Sequence, residues 1–356
     1  MEFGLFSNDR RPTRPLGEAW KRDIDEMIVS DETGFTEAWI SEHEVSADML
    51  VCRAAPVTKR IRLGSAIRVL PRYHPLQIAT EALASDHLTD GRYMLGVGPG
   101  FLKSKMVEMG LNPDDMRAMM EESLDVILRI FAAKGPIDHD GRFWHGKDMK
   151  TDIAPRNGRT RPIAVSVASA PPSAAYAAAR GLAVLTPDFT PNHRLREFGD
   201  AMEAASGKGA RSRGDLRTCR VVYVAEADKQ ARDDMRPSYT EVINWEIVNT
   251  PWHQLDRIPP GGKLEDITFD YLVDTGNLFI GSPDTVRQMV EHFHADVGGF
   301  GLLMFHAGRD YATPEKVHHS MRLFMREVAP AVRHLTPAAE RVLRVAATSA
   351  EAGMTA

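Results

Sequence analysis

The run Ser41-Glu42-His43-Glu44 sets a histidine between two carboxylates. That grouping suits a general acid or base whose proton affinity is tuned by its neighbours, and His43 is its expected catalytic residue. A solvent-exposed polar turn has the same composition, so position alone leaves both readings open. A second group is Ser169-Ala170-Pro171-Pro172-Ser173, two hydroxyls four apart where a helix is expected to begin. The positive end of a helix dipole with hydroxyls beside it binds phosphate, and ordinary N-capping uses the same residue types. Arg117, entering another helix, adds a cation for the same anion. A third stretch, Ala66 to Pro75, is an apolar and basic loop fit to pack one face of a planar ligand. Within it, His74 precedes a proline and is well placed to cap the next helix.

Other chemistries lack their residues. The thirteen histidines show no metal-binding spacing: His292 and His294 are two apart, which points them to different helix faces. There is no nucleophile elbow and no phosphate-binding Walker loop. Gly96-Val97-Gly98-Pro99-Gly100 follows a strand but has no acidic residue ending the next strand, so it is not a dinucleotide fingerprint. It remains a tight loop where backbone passes close to a ligand.

The elements that must position these groups alternate in type. Short β-rich runs at 2–6, 37–40, 61–66, 93–97, 162–168, 182–186, 219–225 and 301–305 are separated by segments of helical period. Trp20, Ile24, Met27 and Ile28 form one apolar stripe, Leu124, Ile127, Leu128 and Phe131 a second, and Val286, Met289, Val290 and Phe293 a third. Ser282-Pro283, Thr313-Pro314 and Thr190-Pro191 each offer a hydroxyl cap followed by a first-turn proline. Eight such units predict an α/β fold, a single (β/α)8 barrel over residues 1–335, whose working face is the rim at the strands' C-terminal ends. The stretches 134–160 and 233–276 are expected to be insertions, and 336–356 a helical tail.

The chain has 356 residues and a formal net charge of −5, which argues against nucleic acid or an anionic membrane as the main partner. Two cysteines are too few for a disulfide framework. No signal-peptide layout and no apolar run of ~20 residues is present, and a cytoplasmic protein is expected.

Phe3-Gly4, Trp39-Ile40-Ser41-Glu42-His43, Leu70-Pro71-x-x-His74-Pro75, Asp90-Gly91-Arg92-Tyr93, Leu95-Gly96-Val97-Gly98, the helix from Arg117 to Phe131, Phe279 to Val286 and Gly298 to Gly301 stand in this order along the chain. Together they resemble the bacterial luciferase-like flavin monooxygenase family, and within it most closely the diketocamphane-type Baeyer–Villiger branch. The resemblance implies reduced FMN delivered by a separate NAD(P)H:flavin reductase, with O2 as co-substrate and a flavin C4a-peroxide as the oxygenating species. It places the flavin ring against Ala66, Ile67, Gly98 and Phe101, with a non-prolyl cis bond between Ala66 and Ile67. It places the phosphate on Ser169, Ser173 and Arg117, and His43 beside the flavin. A homodimer is also implied.

Glu44, Pro99 and Ala168 stand where luciferases carry a histidine, an arginine and a carboxylate, which argues against light emission and shifts the phosphate's burden to Arg117 and the serines. The leading reading is a monooxygenase acting on a small apolar, carbonyl-bearing compound, with Glu42, Tyr73, His74 and Trp245 as expected pocket residues. The alternatives are a deazaflavin (coenzyme F420) oxidoreductase of the same superfamily and a non-catalytic flavin-binding relative.

Overall fold

The computed structural model describes residues 1–8, 15–43, 45–156, 163–205 and 211–335. Glu44, the end of the first expected insertion and the expected tail after 335 lie outside them. Eight parallel strands form a closed ring: β1 (Glu2–Ser7), β2 (Glu37–Ile40), β3 (Arg62–Ser65), β4 (Tyr93–Gly98), β5 (Ile163–Ser166), β6 (Ala183–Leu185), β7 (Leu216–Val224) and β8 (Leu302–Ala307). Closure runs through β7, whose start pairs with β6 on one side and β8 on the other, while β8 pairs with β1. These are the eight strands read from the sequence, with ends moved by up to three residues.

Every residue of β2 and β4 is buried, as both faces of a barrel strand must be when side chains fill the inside and helices cover the outside. Trp39, Met94, Ala164, Leu185, Cys219, Leu302 and Met304 fill the inside. The indole fits because its neighbour on β3 is a glycine: a Cβ on Gly64 would lie 2.8 Å from the Trp39 ring. Below Trp39, the Glu37 carboxylate takes its indole N–H at 2.7 Å and two N–H groups of Arg217 at 2.8 and 2.9 Å. Arg62 closes the group at 2.5 Å. Burial pushes the Glu37 carboxyl up, yet the Arg217 and Arg62 guanidiniums hold it below its ordinary range.

The three apolar stripes lie in helices Leu16–Thr33, Met116–Ala132 and Pro283–Asp296. Ser282 and Thr313 cap their helices as expected. Thr190 does not: its helix starts at Asn192 with Pro191 in the cap position, one residue too late for the hydroxyl.

The expected insertions differ in kind. Residues 134–160 contain a hairpin, Ile137–Asp140 with His145–Met149. Residues 233–276 begin inside a helix that runs from Asp228 to Asn249, so the excursion proper starts later, in short helical turns that lead to a helix at Phe269–Asp274. A further parallel strand outside the ring, Leu278–Gly281, pairs with the far half of β7. It was not among the strands expected from the sequence. Val221, Tyr223, Met235, Tyr239, Ile243, Phe269, Leu272 and Ile280 give this annex its own apolar core, which carries residues 246–257 to the barrel mouth. No helix among the described residues is long and apolar enough to cross a membrane.

Candidate active site

Because the ring is parallel, residues following each strand meet at one rim. Asn8 follows β1, and its placement is over-determined: its N–H donates to Ala307 O at 3.0 Å and its carbonyl accepts from Ser41 Oγ. His43, after β2, lies with Nε2 3.2 Å from Asn8 Oδ1. The other end of the same amide, Nδ2, is 3.1 Å from Nε2 of His306 on β8. His306 Nδ1 is 3.0 Å from the Tyr311 hydroxyl and 3.6 Å from Asp188 Oδ2.

Asp188, past the end of β6, anchors a polar cluster. Arg220 and Arg257 each donate to its carbonyl oxygen at 3.0 Å, and Arg257 also lies 3.5 Å from its carboxylate. Burial pushes the Asp188 carboxyl up, but His306, Arg257, His253 and Arg309 hold it well below the usual carboxylate range. His306 and His253 are pushed down to about 4, chiefly by burial, so both are neutral at pH 7. Burial pushes the Glu246 carboxyl up despite Arg309 at 3.5 Å. His253 stacks on Phe189 at 4.1 Å and 15°, with Phe101 at 5.3 Å. Sequence reasoning missed Asn8, Asp188, His253, Arg257 and His306. The available signal was position just after β1 and β6 and at the end of β8.

On the neighbouring rim the Ala66-Ile67 peptide is cis. A Cβ on Gly98 would lie 2.3 Å from Ile67 Cδ1, so any larger residue there would push the tip of the Ile67 side chain aside. Phe101 is half exposed. Ser169 is exposed, and the helix Pro171–Ala179 starts from Ala170 without a side-chain cap, so ordinary capping does not consume the Ser169 hydroxyl. Two prolines in its first turn remove two of the backbone donors a helix start usually offers, leaving more to hydroxyls. Arg117 pairs with Glu121 at 2.9 Å, its side chain 52% exposed. Its charge reaches Tyr176 on the serine-bearing helix.

Two expected pocket residues are held by scaffold contacts. The Glu42 side chain is fully buried between Arg68 at 2.9 Å and Arg72 at 3.1 Å, and accepts from Tyr73 OH at 3.2 Å. Burial pushes its carboxyl up in spite of both arginines. His74 accepts from Leu76 N at 3.2 Å as a helix cap, and its other nitrogen meets His145 O. Arg68, in the loop expected to face a ligand, is turned inward to Glu42, Asp48 and Glu81. The physical reason is shared: a guanidinium and its carboxylates leave water only when they satisfy one another. Tyr73 is partly buried and lies under Arg68, 4.6 Å from its ring centroid. Trp245, partly buried in the annex helix, has Arg309 5.8 Å from its ring.

Residues 1–298 match the family of luciferase-like monooxygenases. The 4-hydroxyprotoasukamycin monooxygenase of Streptomyces nodosus subsp. asukaensis is 32% identical over 352 residues, covering 93% of this chain and 92% of its own. The oxygenating constituent of 3,6-diketocamphane monooxygenase from the CAM plasmid of Pseudomonas putida, a type II Baeyer–Villiger monooxygenase solved with FMN, superposes with a TM-score of 0.79. It is 25% identical, over 93% of this chain and 98% of that one. A coenzyme F420 dependent tetrahydromethanopterin reductase from Methanopyrus kandleri, 19% identical over 93% of this chain and 99% of that one with a TM-score of 0.68, shares the fold.

Proposed function

The chain belongs to the luciferase-like monooxygenase family, and from that premise we propose that it is the oxygenase component of a two-component system, taking reduced FMN from a separate reductase and oxygenating a small apolar, carbonyl-bearing substrate with O2. The observation that carries this reading is the sequence of groups around the rim. His43 after β2, Ala66-Ile67 after β3, Gly98 on β4 and Ser169 after β5 follow one another on paired neighbouring strands. An apolar bed of Gly98 and Ile67 beside hydroxyls and a cation fits a planar ring with a phosphate tail. The support from known proteins is the FMN-bound relative of the same fold.

Ile67, Gly98 and Phe101 would hold the ring, and Ser169, Ser173 and Arg117 the phosphate. Reduced flavin supplies the electrons that activate dioxygen. His43 handles the proton, since an imidazole can accept at one nitrogen while the other stays bonded to Asn8. The stack of Phe101, His253 and Phe189 brings apolar surface from three segments to the mouth, which keeps bulk water from the reacting groups. The cations around Asp188 suit a substrate carbonyl oxygen that gains negative charge.

The test is anaerobic titration with reduced FMN, followed by admission of oxygen. Tight binding and reoxidation slower than that of free flavin are expected. No binding together with reoxidation at the free rate would overturn the reading, and selective binding of coenzyme F420 would replace it.

A further inference from the structure

Glu37, Glu42 and Asp188 are carboxylates of the barrel interior and rim, and they are satisfied to different degrees. Glu37 accepts four N–H groups on its two oxygens. Glu42 is met on one oxygen by Arg68 and on the other by Arg72 and the Tyr73 hydroxyl. Asp188 differs. Arg257 at 3.5 Å and His306 Nδ1 at 3.6 Å both approach Oδ2, and Oδ1 has no hydrogen-bond partner among the described residues. The side chain keeps 14% of its surface, and Oδ1 is not sealed from solvent.

A carboxylate accepts on both oxygens, so long contacts to one leave the other in want of a donor. Burial pushes the Asp188 carboxyl up, and His306, Arg257, His253 and Arg309 more than offset that, so the group is ionised. Compensation through space is not directional, whereas a hydrogen bond is. Water can serve an oxygen at an open mouth, but a ligand that displaces the water must bring a donor of its own or lose the bond.

The surroundings say which donor suits. Arg257 and Arg309 beside the carboxylate oppose a second cation, which favours a neutral group over an ammonium. A carboxyl held well below its usual range is a weak base, so the proton stays on the donor. Phe189, the next residue, stacks on the neutral ring of His253, with Phe101 at 5.3 Å from that ring. An apolar body with one hydroxyl matches a carboxylate set beside such a stack.

We propose that Asp188 is a substrate-binding residue whose Oδ1 accepts a hydrogen bond from a neutral hydroxyl group, so that the protein takes a hydroxylated ring ketone in preference to one without a donor. This deepens the oxygenase reading given above and rests on it for the ketone; the hydroxyl is carried by Asp188 alone. A site built to bond a hydroxyl discriminates strongly against the analogue that lacks it, because its own polar group is left unpaired.

The experiment is calorimetric titration of the flavin-free protein with 4-hydroxycyclohexanone and, separately, 4-methoxycyclohexanone, which differ in the donor. The hydroxy ketone should bind about 10- to 100-fold tighter, as for a hydrogen bond to a charged group. In Asp188→Asn an amide oxygen can face Arg257 while the amide N–H2 faces the mouth, so the preference should vanish. A measurement that needs no variant is the intermolecular NOE between 4-hydroxycyclohexanone and the rings of Phe189 and His253, which is expected to be present. The proposal is overturned by equal binding of the two ketones, by no binding of either, by a preference that survives in Asp188→Asn, or by absence of that NOE. No flavin enters the titration, so failure here is separate from failure to bind reduced FMN.

Discussion

The two ends of the barrel hold buried charges in opposite ways. At the bottom, Glu37 receives four N–H groups from Trp39, Arg62 and Arg217 at 2.5 to 2.9 Å. All three partners are strand residues, and two of the arginine bonds form a fork on one carboxylate, the strongest arrangement such a pair can adopt. At the mouth, the contacts from His43 through Asn8 to His306 and Asp188 run from 3.1 to 3.6 Å. Asn8, His43 and Asp188 lie beyond strand ends, and the central groups are amide and imidazole, which both donate and accept. The bottom cannot change its pattern without losing a bond. At the mouth, amide and imidazole can exchange donor and acceptor roles.

The contrast can be broken most decisively from below. Glu37→Ala would leave Arg217 and an indole N–H buried without their acceptor, and should cost about 3 to 5 kcal/mol of unfolding free energy by denaturant titration. A loss under about 1 kcal/mol would show that the bottom is not a tie. Arg117→Ala tests the other half. An exposed arginine with one neighbour on its own helix should change stability by no more than about 0.5 kcal/mol. It should nevertheless weaken reduced FMN binding by about 1.5 to 3 kcal/mol if its phosphate bond is charge-assisted. An unchanged dissociation constant would remove Arg117 from the phosphate site.

The third test is in pH. His253 and His306 have folded-state pKa values of about 4 against about 6.5 unfolded. The unfolded chain therefore binds the extra protons first, so stability is full above about 6.5 and falls as pH drops toward about 4. Denaturant midpoints across that window should slope downward with acid, and His306→Gln should lessen the slope by the share of one proton. A flat profile would show that these rings are not buried neutral.

Much of the architecture was legible because it depends on local pattern. Alternation of β-rich runs and apolar stripes gave all eight ring strands, since each strand's burial is set by its own residues. The extra strand at Leu278–Gly281 escaped because it pairs with the far half of a strand already counted, a choice made by the annex core. Thr190 was misread as a cap for a narrower reason: adjacent residues compete for one position, and Pro191 takes it.

For the site, residue types announced the groups that act alone. His43 between carboxylates and Ser169 beside a proline-led helix start stand out in one dimension. Glu42 and His74 carried the same signal, yet the fold spends the first on Arg68 and Arg72 and the second on a helix cap. The chain Asp188, His306, Asn8 and His43 joins residues up to 298 positions apart, and no spacing announces it.

The amino-acid order by itself determined that eight strands alternate with helices, that their ends must share a rim, and that a histidine, a glycine bed and a serine loop lie there. Those follow from periodicity and strand polarity, which are local. Which carboxylate is buried as an anchor, which histidines are neutral and which residues meet His43 across the mouth were decided only by tertiary structure. The reason is that desolvation and hydrogen-bond direction depend on what comes from the other side of the ring.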